Sequence, residues 1–155
     1  MAKSSPTQLR IRNKKAHLRF EILDKVECGL VLRGTEVKSL REGRATLEEA
    51  YAQLQRGEVW LYGFHIPPYS HGNVQNHEPM RPRKLLLHKQ QIGRLTPKVT
   101  QRGLTLVPLQ VYFSARGLVK VELALVRGKA RQDKRQDLKK REHKREMDRV
   151  LRRRR

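Results

Sequence analysis

The chain has 155 residues, a length suited to one domain, and carries 36 Lys and Arg against 15 Asp and Glu, a net charge of +21. That balance points first to nucleic acid and second to an anionic membrane, and no apolar run approaches the roughly 20 residues of a spanning helix. Residues 1–17 lack the apolar segment of a secretory signal, and the single cysteine, Cys28, excludes an internal disulfide and fits a reducing, cytoplasmic setting.

Residues 1–12 read as a flexible basic arm. Leu18, Phe20 and Ile22 alternate with Arg19 and Glu21, the pattern of a half-buried strand. Gly29, Gly34 and Gly43 punctuate the next stretch, and residues 36–42 (EVKSLRE) between the last two are a short-helix candidate. Residues 45–66 fit a helix through Leu47, Ala50, Tyr51 and Leu54, or a hairpin. The turn at 55–58 (QRGE) and the aromatic, β-branched run after it favour the hairpin. Residues 67–83 hold four prolines, a glycine and two asparagines, which predicts a long irregular loop of the kind that often serves function.

Residues 83–95 predict a helix with Leu85, Leu86, Ile92 and Leu95 on its apolar face and Pro97 as its stop. Residues 104–113 and 118–126 flank a turn at 114–117 and predict a β-hairpin. Val119, Val121, Leu123 and Leu125 face one way, and Lys120 and Glu122 face the other. Pro108 cannot donate to a ladder, so it sits at an edge or a bulge. Five or six short strands, one or two short helices and no regular strand–helix alternation predict a mainly β fold. An oligonucleotide-binding (OB) type antiparallel barrel over residues 13–126 fits best.

The segment 127–155 has no proline, one glycine, fifteen Lys and Arg and five Asp and Glu, a net +10 that leaves +11 on residues 1–126. Lys140/Lys144, Arg141/Arg145, Arg145/Arg149, Asp133/Asp137 and Glu142/Glu146 repel at helical i,i+4 spacing, whereas Asp137/Arg141 and Asp148/Arg152 attract. Repulsion exceeds attraction, so the free tail is expected to be disordered. Phosphates would remove the repulsion and leave strong helix propensity, so the tail is expected to fold on RNA.

Nothing in the sequence marks a catalytic site. The six histidines are scattered, no phosphate-binding glycine loop occurs, and no carboxylate pair stands out. His71 and His77 share a loop, but solvated or RNA-facing histidines explain them better than a metal does. An excess of +11 on the body alone is too large for an ordinary solvated surface. Counterion release from RNA phosphates is the expected driving force. Trp60, Tyr62 and Phe64 lie in a strand-like segment and suit a barrel wall better than a base-stacking platform. The reading is an RNA-binding protein with no cofactor, no metal and no catalysis of its own. A basic ribosomal protein of barrel type and an RNA-modifying enzyme or nuclease are the competing classes.

Several segments occur in an order that is itself informative. They are Asn13-Lys-Lys-Ala, Glu27-Cys-Gly-Leu, Gly34-Thr-Glu-Val-Lys-Ser-Leu-Arg41, Arg83-Lys-Leu-Leu-Leu-His-Lys89, Gly103-Leu-Thr-Leu-Val-Pro-Leu109, Lys120-Val-Glu-Leu-Ala-Leu, Gly128-Lys and Asp133-Lys-Arg135. Together they resemble the small protein B (SmpB) family, the protein partner of transfer-messenger RNA, from about residue 13 to 135. The resemblance implies an OB-type barrel that holds the tRNA-like domain of that RNA and a tail that enters the decoding centre and empty mRNA channel of a stalled ribosome. It implies ribosome rescue by trans-translation. Its partners would be transfer-messenger RNA, the ribosome and, indirectly through the RNA, alanyl-tRNA synthetase and elongation factor Tu. A monomer acting in the cytoplasm is expected.

By position, the resemblance puts Asn13, Lys14, Lys15, Glu27, Leu86, His88 and Lys120 on the RNA-facing body. It puts Arg127, Gly128, Lys129, Asp133, Lys134 and Arg135 at the decoding-centre end of the tail. A carboxylate such as Glu27 can accept from base amino groups or a 2′-OH, and Asp133 could cap the tail helix. The chain departs from the family at three places. His88 stands where Asn is common, Gln132 stands where many relatives have a ring residue, and Leu18 stands at the family histidine.

Overall fold

The computed structural model describes residues 9–71, 76–101, 103–129 and 131–154, with side chains omitted for 131–134. The arm residues 1–8 and loop residues 72–75 therefore lie outside the described residues. Within them the elements run β1 (Arg10–Arg12), α1 (Ala16–Arg19), β2 (Phe20–Leu30), α2 (Gly34–Arg41), β3 (Tyr51–Gln55), β4 (Glu58–Tyr62), β5 (Arg83–Leu86), α3 (Lys89–Val99), β6 (Leu104–Phe113), β7 (Val119–Gly128) and α4 (Arg131–Arg153).

The seven described strands are all antiparallel, in the order β1-β6-β3-β4-β5-β2-β7, and a β6–β7 pairing closes six of them into a barrel. This is the mainly β, OB-type architecture, with one or two more strands than the sequence suggests. Strand β1 shares one edge of β6 with β3 and lies beside the closed barrel. The end of the basic arm is thus a strand.

The β3–β4 hairpin turns through Arg56 and Gly57, with φ of 50° and 76°. Two left-handed residues make the tight turn whose twist matches the strands, which settles the helix-or-hairpin ambiguity. The β6–β7 hairpin forms as expected, with a register shift between Pro108 and Gln110 that accommodates the proline's missing donor. Strand β7 is buried on both sides. Val121, Leu123 and Leu125 fill the barrel, whereas Ala124 and Val126 pack with Ala16, Val107 and Leu109 in a second cluster beneath α1.

Three expectations about the elements need correction. Leu18 belongs to α1, and the half-buried strand begins at Phe20. Residues 83–95 are not one helix. Arg83–Leu86 is strand β5, paired with β4 and β2, and the helix starts at Lys89. Three consecutive leucines carry no period that separates a strand from a helix. Pro97 lies inside α3 rather than ending it. Pro97 and Gly93, one turn before it, are both exposed, so water can satisfy the carbonyl the proline leaves unpaired.

The described parts of the connection between β4 and β5, residues 63–71 and 76–82, are irregular. They are pinned to α2, whose buried face carries Glu36, Ser39 and Leu40. The Ser39 hydroxyl donates to the Pro67 carbonyl at 2.7 Å. His77, 3% exposed, has Nδ1 2.9 Å from the Thr35 hydroxyl and Nε2 2.9 Å from the Ile66 carbonyl. A carbonyl only accepts, so Nε2 carries the proton and Nδ1 takes the hydroxyl's hydrogen. Both nitrogens are therefore occupied within the protein, and none is left to ligate a metal.

Candidate RNA interface

Residues directly opposite one another in an antiparallel ladder project from the same side of the sheet. The registers of β5, β2, β7, β6 and β1 therefore write two rows across the outer wall. One row is Leu86, Gly29, Lys120, Tyr112, Arg10. The next is Glu27, Glu122, Gln110, Arg12. Five strands separated by up to about a hundred positions thus converge on one polar surface. It brings together Glu27, Leu86 and Lys120 from the sequence reading. It adds Arg10, Arg12, Gln110, Tyr112 and Glu122, which that reading missed because register is invisible in a single sequence.

Glu27 and Glu122 face each other directly, an unfavourable pairing unless each is compensated. The Tyr112 hydroxyl donates to Glu27, the Gln110 amide donates to Glu122, and the Lys25 ammonium lies 3.4 Å from Glu122. Burial, reinforced by the hydrogen bond and charge of Glu27, pushes the Tyr112 hydroxyl up to about 12. It remains a donor at neutral pH. The Arg10 guanidinium lies 5.7 Å from the centre of the Tyr112 ring. Each carboxylate keeps free lone pairs that can accept a base amino group or a 2′-OH.

Gly29 fits its place because a Cβ there would stand 3.3 Å from the Leu86 Cβ. The glycine leaves a notch between Leu86, which is 52% exposed, and the Lys120 stem. His88 follows Leu86 by two residues and is also exposed, and its backbone N–H donates to the Gln91 side chain at 2.9 Å at the start of α3. Overlapping the ends of the two rows lies a shallow concavity of about 390 Å³, lined by Arg10 and Arg12 of the rows together with Lys14, His17 and Lys25. Glu122 is its one acid, so the hollow suits phosphate.

Asn13 departs from its expected place on the surface. It is 5% exposed, and its amide donates to the Leu47 carbonyl at 3.3 Å and the Pro108 carbonyl at 3.1 Å. Its backbone N–H donates to Leu109 at 2.8 Å. Asn13 therefore clamps the chain as it leaves β1, and it lines the floor of the hollow without presenting its donors there. Lys14 is exposed in the hollow, whereas Lys15 turns away to an ion pair with Glu48 at 3.0 Å.

At the root of the tail, Arg127 and Gly128 end β7 and are exposed. Lys129 is tied down. Its backbone N–H donates to the Arg19 carbonyl at 3.0 Å, and its ammonium donates to the His17 carbonyl at 2.8 Å and to the Asp137 carboxylate. That contact with Lys129 holds the Asp137 carboxyl below its ordinary value. The side chains of Gln132, Asp133 and Lys134 lie outside the described residues, and Arg135 is exposed. α4 is helical over 23 residues, the form expected of the tail when it is bound. Residues 131–153 contain only helix-tolerant types, with no glycine or proline, so the backbone has the propensity for this helix.

A family model described as SmpB protein matches residues 10–153. An SsrA-binding protein of Syntrophobacter fumaroxidans is 55% identical over 160 aligned residues, spanning 100% of this chain and 99% of that protein. An SsrA-binding protein of Corynebacterium jeikeium is 58% identical over 142 residues, spanning 92% and 77% of the two chains. A chain in the solved structure "tmRNA-SmpB: a journey to the center of the bacterial ribosome" superposes with a TM-score of 0.68 at 45% identity. That match covers 84% of this chain and 94% of the other. By sequence and by fold, the chain belongs to the SmpB family.

Proposed function

We propose that the protein binds the tRNA-like domain of transfer-messenger RNA and delivers it to stalled ribosomes for trans-translation. The barrel holds the RNA on the two cross-strand rows and the adjoining hollow. The observation that carries this reading is the convergence of Glu27, Leu86 and Lys120 with Arg10 and Arg12 on one wall. Cations there engage phosphates, the notch over Gly29 admits a close approach of sugar or base, and the carboxylates accept from 2′-OH or base amino groups.

The protein performs no chemistry of its own and works in the cytoplasm as a monomer. The RNA, rather than the protein, brings alanyl-tRNA synthetase and elongation factor Tu. Residues 1–12, 13–126 and 127–155 divide the labour as arm, RNA-binding barrel and tail. The tail places Arg127, Gly128, Lys129, Asp133, Lys134 and Arg135 at the decoding centre and runs on into the empty mRNA channel. A channel filled by message blocks it, which separates stalled from working ribosomes. A helix of 23 residues spans on the order of 35 Å, a reach suited to such a probe.

Deleting residues 131–155 tests the division of labour. Affinity for transfer-messenger RNA is expected to fall modestly while tagging of stalled peptides is abolished. Parallel loss of both would refute it.

A further inference from the structure

Strand β3 keeps part of one edge open. The tight turn at Arg56 and Gly57 makes Gln55 and Glu58 a hydrogen-bonded pair, so Gln55, Gln53 and Tyr51 direct their N–H and C=O groups to β4. Ala52 and Leu54 direct theirs the other way, toward β6. Ala52 pairs there with Leu106, and beyond that pair the two strands diverge. Among the described residues, the backbone of Leu54 has no partner on this edge. Across the gap, the Leu104 N–H has turned away to the Gln101 carbonyl at 3.3 Å.

The gap is a hollow of about 550 Å³. Leu54, Leu106, Leu104 and Val99 of α3 give it an apolar lining that continues into the barrel core. Arg56 is the one charged residue in that lining, and it is exposed. Among the described residues it has no acidic side chain within ion-pair distance. Gln110 of the cross-strand rows lies about 13 Å along β6 from Leu106, at the rise of a strand, so the hollow is separate from the RNA-facing wall.

An open ladder edge, an apolar slot and an unpaired cation together specify an occupant. The edge asks for main-chain donors and acceptors at strand spacing, which a nucleic acid does not carry. Arg56 asks for an acid. The ends of this chain supply none of the right kind: residues 1–8 have no acid, and residues 127–155 are strongly basic. Residues 1–8 also leave β1 past Tyr112, at the end of β6 remote from Leu104. A second copy would bring +21 against +21. We infer that the open edge of β3 takes an extended segment of a protein partner, added antiparallel as a further strand, with an apolar side chain in the Leu54–Leu104 hollow and an acidic residue against Arg56. This site goes beyond the RNA-binding reading and does not depend on it.

The test titrates full-length protein into a fluorescently labelled peptide, Asp-Val-Leu-Val-Asp, and follows anisotropy. Backbone N-methylation of the central leucine removes the donor that faces Leu54 and is expected to weaken binding about fivefold or more. N-methylation of either valine, whose N–H points away from β3, is expected to change it less than about twofold. Arg56→Asn keeps a residue that tolerates the left-handed turn, and should weaken the acidic peptide but not a Ser-Val-Leu-Val-Ser peptide. Leu54→Pro removes the open donor and should weaken both. Should that variant fail to fold, the N-methylated peptides read the same bond on the unaltered protein. Equal binding of the three acidic peptides would reduce the contact to bulk charge attraction and overturn the inference. So would no binding at about 1 mM peptide. Displacement of the peptide by a short uridine RNA would assign the hollow to RNA. Self-association of the unaltered protein that Leu54→Pro abolishes would assign it to a second copy. Either result overturns the inference. Affinity for transfer-messenger RNA, measured in parallel, should be the same in Arg56→Asn, and a failure of the RNA-binding reading would show there alone.

Discussion

Glu36 is a charge with no exposed surface, and such a group survives only if it is fully paired. Arg83, also fully buried, donates to one carboxylate oxygen, and Arg81 donates to the other at 2.6 Å. Arg83 also donates to the Phe64 carbonyl at 2.6 Å and the Pro79 carbonyl at 3.2 Å. Burial alone would raise the Glu36 carboxyl, but hydrogen bonds from Arg83 and Arg81 and their charges outweigh it and hold the group below its ordinary 4.5. The network ties α2, β5 and the irregular connection into one unit. Glu36→Gln is expected to destabilise the fold by about 3–5 kcal/mol, since it strands Arg83 without its counter-charge. A folded pKa below the unfolded one means that the stabilisation is complete above about pH 4.5 and is lost as pH falls through the lower, folded value. Urea melts of the two proteins between pH 7 and 3 check this. The gap between them should narrow on acidification, and a constant gap would mean that the carboxylate charge is not what stabilises.

The elements show what a single sequence can and cannot convey. The β6–β7 hairpin was legible because Val119, Val121, Leu123 and Leu125 alternate with polar residues and Pro108 announces a bulge. Strand β5 was not, because Leu85, Leu86 and Leu87 are consecutive and only pairing with Val59 and Leu30 shows that Leu85 points inward. The interface was legible in part. Motif resemblance singled out Glu27, Leu86 and Lys120, but Arg10, Arg12 and Tyr112 join them only through strand register. The segments GTEVKSLR and RKLLLH were conspicuous without a visible reason, and the fold supplies one: Glu36 lies in the first and Arg83 in the second, 47 positions apart.

Helix α1 shows the same limit at its junction with the tail. Its four residues bury little beyond Ala16, yet its carbonyls at His17 and Arg19 receive Lys129. The last carbonyls of a helix lack intrahelical donors and carry partial negative charge, so an ammonium there is favourable. The same ammonium reaches Asp137, two turns into α4, and so fixes the direction in which the tail leaves the barrel. Asp137→Ala is expected to keep the affinity for transfer-messenger RNA within about twofold and to lower peptide tagging, with Asp137→Glu restoring it. Spin-label distances between the barrel and α4 should broaden in the alanine variant. Unchanged distances and unchanged tagging would show that Lys129 alone sets the angle.

At the scale of the whole molecule, the +21 charge divides almost evenly, +11 on residues 1–126 and +10 on the tail, but the two halves are held in different ways. The barrel cations sit on a wall fixed by a buried core. The tail cations sit on a helix whose apolar side chains, Leu138, Met147, Val150 and Leu151, are each 45–58% exposed. Little packing supports α4 beyond its root, so its stability depends on propensity and on the balance of its i,i+4 charge pairs, in which repulsion predominates. Salt screens exposed pairs, with a Debye length that falls from about 10 Å at 0.1 M to about 3 Å at 1 M. Helicity of the tail, taken as the far-ultraviolet circular dichroism of the full chain minus that of residues 1–130, is therefore expected to rise between 0.05 and 1 M sodium chloride while the barrel contribution stays constant. RNA phosphates would act in the same direction and more strongly, because they neutralise cations at contact distance. A fall in helicity with salt would mean that Asp137/Arg141 and Asp148/Arg152 attraction governs the helix instead. The tail would then be a preformed rod whose shape owes nothing to RNA.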